Sequence, residues 1–219
     1  MAEITINGRR ASRLRVLLPL AGAWVADAVV DDGTSLEGAV TVALDGLTLA
    51  GAVVRGGVGA EVWTGRIVGG AGGLRRALPA TSHRNVTLRA VLDEALRASG
   101  ESAADDIGDL SHAVTLYQRR EAPALFTVAD VARAAGYAWR VRPDGRVWMG
   151  AERWPAFAPT DVELVGWNDR TGALSFSGST LGILPGQTLT AGGRTVRILG
   201  VEHQADAERI RTTLATEPA

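Results

Sequence analysis

The sequence predicts an α+β chain that is mainly β, with two small β-barrels flanking a small α/β module. Three observations lead there. Short runs that alternate apolar and polar residues fill the beginning and end of the 219-residue chain. Two stretches between residues 76 and 157 instead place apolar side chains on one helical face. Glycines fall in turn-like clusters between the runs, as at Gly56-Gly57, Gly69-Gly70, Gly72-Gly73 and Gly192-Gly193. The expected units are residues 1–75, 76–157 and 158–219.

In the first unit, Ile4-Thr5-Ile6 alternates like a strand. Leu14, Val16 and Leu18 share one face of a second strand, Pro19-Leu20-Ala21-Gly22 turns the chain, and Trp24 to Val30 returns. The same segment can be read as a secretory signal, since Arg9, Arg10, Arg13 and Arg15 precede an apolar stretch ending near Ala26-Asp27-Ala28. Pro19, Gly22 and Glu3 favour the hairpin. Asp31-Asp32-Gly33 marks a turn. Asp45-Gly46 joins Ala39–Leu44 to Leu47–Val54 in the strongest short hairpin pattern of the chain. Ala60 to Val68 alternates again and stops at Gly69 to Gly73, which reads as a linker because it lacks the Lys and the following helix of a phosphate loop.

In the middle unit, Leu88, Val91, Leu92, Ala95 and Leu96 lie on one helical face, with Thr87 as N-cap and Gly100 as stop. Glu101 to Asp109 reads as a solvated acidic loop, and Val114 to Tyr117 as a short strand. A second helix is expected from Thr127, with Thr127 and Asp130 as a capping box and Gly136 as its end. Tyr137–Val141 and Arg146–Gly150 then form a hairpin around Pro143-Asp144-Gly145, with Trp139 and Trp148 packed together across it. In the last unit, strands are expected at Val162–Val165, Thr171–Phe176, Arg194–His203 and Ile210–Leu214, with turns at Ala191-Gly192-Gly193 and Ala205–Arg209.

Composition narrows the chemistry. The net charge is −1, although every one of the 23 basic residues is arginine, so nucleic-acid contact through a basic patch is not expected. The absence of cysteine excludes disulfides, thiol catalysis and Cys-based metal sites. No apolar stretch is long enough to predict a membrane span. His83, His112 and His203 share no metal-ligand spacing. Asp105, Asp106 and Asp109 lack the alternation and glycine of a calcium loop. Phe176-Ser177-Gly178-Ser179-Thr180 is a loop, not a nucleophile elbow. The six tryptophans, Trp24, Trp63, Trp139, Trp148, Trp154 and Trp167, suit either core and interface anchors or a sugar-binding platform. No catalytic, cofactor-binding or metal-binding residue is assigned, no cofactor is expected, and a non-enzymatic role is.

Several motifs resemble one family. Leu184-Pro185-Gly186-Gln187-Thr188-Leu189, the strand Val196 to His203 ending in Val-x-His, and a last strand Arg209 to Leu214 carrying Thr212-Thr213 resemble the C-terminal end of phage tail baseplate hub proteins of the late control protein D class. Asn85 to Leu92 is similar to that family's first insert helix, and Gly136 to Trp148 to its hairpin. The resemblance implies a homotrimer in which each subunit gives two similar barrels to a pseudo-sixfold ring. One face of the ring would meet a hexameric tail tube protein and the other a trimeric spike protein, with the tape measure protein as a further partner. It implies a virion protein of the tail baseplate or tip, assembled in the host cytoplasm. The competing expectations are a secreted carbohydrate- or cell-wall-binding β module and a hydrolase with dispersed carboxylates.

Overall fold

The computed structural model describes residues 4–44, 46–158, 163–168, 172–177, 182–191 and 193–219, with 163–165 and 177 described by backbone alone. The expected features at Asp45, Val162, Thr171, Gly178-Ser179-Thr180 and Gly192 lie outside the described residues.

The N-terminal unit contains β1 (Ile4–Ile6), β2 (Arg9–Pro19), β3 (Val25–Val30), β4 (Ala39–Leu44), β5 (Leu47–Gly59) and β6 (Val62–Gly69). They pair antiparallel in the order β1-β4-β5-β6-β3-β2, and β1 also pairs with β2. The cycle is closed, which leaves this barrel no free edge. Alternation fixes which side chains enter it. Leu14, Val16 and Leu18 of β2 are buried, while Arg13, Arg15 and Leu17, which alternate with them, face out. The segment that could pass for a signal sequence is thus the β2–β3 hairpin of the barrel.

Two indoles fill the interior. Trp24 and Trp63 are both fully buried. Each lies over a cross-strand glycine pair: Trp24 over Gly51 and Gly69, Trp63 over Gly56 and Gly65. A Cβ on Gly65 would stand 2.3 Å from the Trp63 ring, and one on Gly69 would stand 2.5 Å from Trp24. These glycines are not turn punctuation; they make room for the rings.

The middle unit opens with a single 3-10 turn at Gly73–Arg75. It continues through β7 (Ala77–Leu78), β8 (Thr81–Thr87), α1 (Leu88–Ser99), β9 (Ala113–Arg119), β10 (Ala122–Pro123), α2 (Ala124–Ala135), β11 (Ala138–Val141) and β12 (Val147–Gly150). Three two-stranded ladders form, β7 with β10, β8 with β9 and β11 with β12. Thr87 Oγ1 accepts the Ala90 N–H at 3.2 Å, and Gly100 (φ +80°) ends α1 as expected. Strand β8 had no counterpart in the sequence reading, because Thr81-Ser82-His83-Arg84-Asn85 holds no apolar residue that could mark a period.

The second helix starts three residues earlier than Thr127. It begins at Ala124 behind Pro123, which presets the entry dihedral. Thr127 is inside the helix and buried, and Asp130 pairs with Arg133 instead of capping. Gly136 does end it. The two tryptophans of the β11–β12 hairpin do not pack together as expected. Trp139 stands opposite Met149 and Trp148 opposite Arg140, so the two indoles project from opposite faces.

The C-terminal unit contains β13 (Ala156–Phe157), β14 (Glu163–Asn168), β15 (Ala173–Ser177), β16 (Thr188–Ala191), β17 (Arg194–Asp206) and β18 (Ile210–Pro218). Its described strands run β14-β15-β18-β17-β16-β13, with only β13 and β16 parallel. Strand β17 serves both halves of the molecule. Its first residues, Arg194–Arg197, pair with β16, and Gly200–Asp206 pair with β2 of the first barrel. The two β units are therefore one 12-stranded sheet. A single hydrophobic cluster follows from this, joining Leu14, Val16 and Trp63 to Val91, Leu92 and Val128 and to Ile198, Val201 and Leu214.

Candidate functional site

The three units meet around a cleft of about 580 Å³. The first barrel contributes Leu18, Pro19 and Trp24, the middle unit Tyr137, Arg140, Arg142 and Trp148, and the connection to the last unit Glu152, Arg153 and Pro155. The turn Leu184 to Gln187 completes the wall. Backbone bonds hold the pieces in place: Gly22 N–H donates to Trp139 O at 3.0 Å, and Val141 N–H to Gly22 O at 2.9 Å.

On the floor, Arg140 and Glu152 form a two-point ion pair with side chains only 16% and 13% exposed. Arg140 Nη1 also donates to Leu20 O at 3.4 Å, and its guanidinium lies 4.3 Å from the Trp148 ring centroid. The Pro185-Gly186 turn passes directly over this pair. Gly186 has φ +87°, and a Cβ there would stand 2.6 Å from Glu152 Oε2 and 2.9 Å from Arg140 Nη2. At the rim, Arg142 binds Asp106 through two bonds of 2.5 and 2.9 Å and holds that carboxyl below the usual range. Its guanidinium also lies 5.2 Å from the Trp148 centroid.

The acidic segment after α1 is not a free solvated loop. Glu101 is buried, and its carboxylate accepts three backbone N–H groups, from Ala71 at 2.9 Å, Gly73 at 2.7 Å and Leu74 at 3.2 Å. The glycine-rich stretch Gly69 to Gly73, read as a linker, is thus a nest for an internal carboxylate. Farther along, Ala104 N–H donates to Val147 O and Gly108 N–H to Met149 O, which lays the segment along β12. Asp105 pairs with Arg146, and Asp109 caps Ser111 N–H at 2.9 Å. These carboxylates are committed to arginines and backbone.

The histidines separate into unrelated settings. His83 Nε2 lies 3.2 Å from Glu94 Oε2, and Arg119 reaches the other oxygen of Glu94 at 3.2 Å. His112 is exposed on the connection to β9. His203 is fully buried, with Nδ1 2.9 Å from Thr212 Oγ1 across the β17–β18 ladder. Burial lowers its pKa from 6.5 to about 4, so it is neutral at pH 7. The Val-x-His and Thr-Thr motifs are therefore two sides of one buried contact. No group of three or more His, Asp or Glu with metal-ligand placement occurs among the described residues.

Trp24 and Trp63 are core, and Arg140 and Arg142 cover Trp148. Arg197 lies 5.1 Å from the Trp154 centroid, and Arg194 lies 5.3 Å from that of Trp167. The sequence reading missed Glu101, Arg140 and Glu152. For Glu101 one signal was present: an acidic residue directly after a helix-ending glycine, with a glycine-rich, N–H-rich segment upstream. Arg140 and Glu152 carried none.

No protein-family model and no curated protein sequence matches this chain. Solved structures do match its fold. A type VI secretion system component from E. coli, itself described as similar to the T4 bacteriophage tail proteins gp27 and gp5, superposes with TM-score 0.78 at 14% identity over 99% of this chain and 77% of that one. The 43 kDa tail protein of prophage MuSo2 from Shewanella oneidensis gives 0.73 at 11% identity, covering 99% and 97%. A tail protein from Neisseria meningitidis MC58 gives 0.65 at 14% identity, covering 99% and 96%. The chain has the fold of these tail proteins.

Proposed function

We propose that this chain is a non-enzymatic hub or adaptor of a phage tail or tail-like injection particle, a homotrimer whose paired β units form a pseudo-sixfold ring between a hexameric tail tube and a trimeric spike. The observation that carries this reading is the fold match over 99% of this chain to a prophage tail protein and a type VI secretion system component, reached with two β units fused through β2 and β17. Three copies of a rigidly fused pair would present six β units to a sixfold partner and three identical faces to a threefold one. On this reading the partners are the tube, spike and tape measure proteins, the place is the baseplate or tip of the virion tail, and assembly takes place in the host cytoplasm. Commitment of the cleft carboxylates to arginine supports a structural role over hydrolysis.

The test is native mass across a concentration series, joined to imaging of particles that carry a tagged copy. A trimer mass and density in a threefold ring at the tube end are expected. A monomer at every concentration, together with absence of the tag from the tube–spike junction, would overturn the assignment.

A further inference from the structure

We propose that the cleft at the junction of the three units is a docking site for an acidic, extended peptide segment of an assembly partner. That the partner belongs to an assembly rests on the tail reading; the chemistry of the site does not.

Both cleft carboxylates are already bound, Glu152 by Arg140 and Asp106 by Arg142. The Gln187 oxygen is turned inward onto Leu184 N–H at 2.8 Å. The charge of each carboxylate is therefore offset by its own arginine. A guanidinium carries five N–H groups, and neither ion pair exhausts them. Arg153 is exposed at the mouth and has no ion-pair partner among the described residues. With three arginines against two carboxylates in the lining, the cleft carries an excess positive charge centred on Arg153. An occupant that brings acceptors and negative charge completes these groups.

The walls argue for a polypeptide and against a sugar. Sugars bind by stacking on open aromatic faces, and here guanidinium groups lie over Trp148, the one buried indole facing the Arg140 side of the hairpin. Pro19, Pro155 and Pro185 instead give fixed walls of the kind that holds an extended chain with little loss of freedom in the host. The volume lies within the range of sites that enclose ligands. Because one wall is the Pro185-Gly186 turn and another the first barrel, occupancy would also tie the last unit to the first.

The probe is a fluorescein-labelled hexaglutamate peptide, titrated by anisotropy into the 219-residue chain at low salt. Saturable binding is expected, weakened at least tenfold by Arg153→Glu and severalfold by Arg153→Ala, and unchanged by Arg84→Glu on exposed β8. Arg153 is exposed, so these variants should keep the wild-type circular dichroism spectrum and melting midpoint. Equal loss with Arg84→Glu, or no loss with Arg153→Glu, would overturn the proposal, since the peptide would then sense the arginine-rich surface in general. Full competition by sulfate at matched ionic strength would also overturn it, in favour of a small-anion site. Quenching of tryptophan fluorescence by an N-acetylglucosamine oligomer, without peptide binding, would overturn it in favour of a glycan. The assay uses the isolated chain and reads the same whether or not the trimer assignment fails.

Discussion

Removing the Glu101 carboxylate should cost more stability than any exposed ion pair in the molecule. It accepts N–H groups from Ala71, Gly73 and Leu74, and it is 7% exposed. Hydrogen bonds to a charged acceptor contribute about 1.5–3 kcal/mol each, and a buried donor left without a partner costs a similar amount. Three bonds share one carboxylate, so their contributions do not add fully. Glu101→Ala should therefore lower unfolding free energy by about 3–5 kcal/mol. Glu101→Gln is the informative partner. Its single carbonyl oxygen can keep the two bonds that Oε1 makes to Gly73 and Leu74 and loses the one from Ala71, so the loss should be about 1–2 kcal/mol. Urea unfolding followed by far-ultraviolet circular dichroism, at one fixed protein concentration, reads both. If Glu101→Ala falls within about 1 kcal/mol of wild type, or if the two variants are equally destabilised, the nest is not what holds this segment.

Gly65→Ala places a methyl 2.3 Å from the buried Trp63 ring and should cost about 1–3 kcal/mol, read as a lower urea midpoint with a red-shifted tryptophan emission. Gly186→Ala strains a backbone at φ +87° and drives into the Arg140–Glu152 pair, so it should lower the melting midpoint and weaken hexaglutamate binding together. Acid should destabilise the fold through His203. The unfolded chain takes up a proton near pH 6.5 and the folded one only near 4, so the unfolded chain binds more protons between those values. Stability is full above this window and falls by roughly 3 kcal/mol as pH drops through it. His203→Gln should flatten that part of the pH–stability curve; a slope unchanged in the variant would show that other groups set it.

Local rules made much of the fold legible. The β2–β3 and β4–β5 hairpins follow from alternation around short turns, and α1 follows from Thr87, Gly100 and a clean apolar face. The start of α2 was displaced because Thr127 and Asp130 imitate a cap, whereas Pro123 sets the actual entry. Other features are set by contacts remote in sequence. Gly65 looks like any strand-breaking glycine until Gly56 and the Trp63 ring are brought to it. The junction cleft depends on Arg140 meeting Glu152 beneath Gly186, three residues on three separate segments. No periodicity encodes such a meeting. Glu101 misled for a different reason: acidic residues in loops are usually solvated, and only the N–H groups of Ala71 to Leu74 make this one an interior group.

The β2–β17 ladder has a mechanical consequence. Its rungs run from Gly200 opposite Pro19 to Asp206 opposite Arg13, with hydrogen bonds perpendicular to both strands. A pull along β17 opposed by a pull along β2 stretches all of these bonds at once, so the ladder resists in shear and does not unzip rung by rung. Because β18 and β3 brace the same pair from either side, tension entering one β unit passes to the other through the middle of the sheet, without relying on the connecting chain.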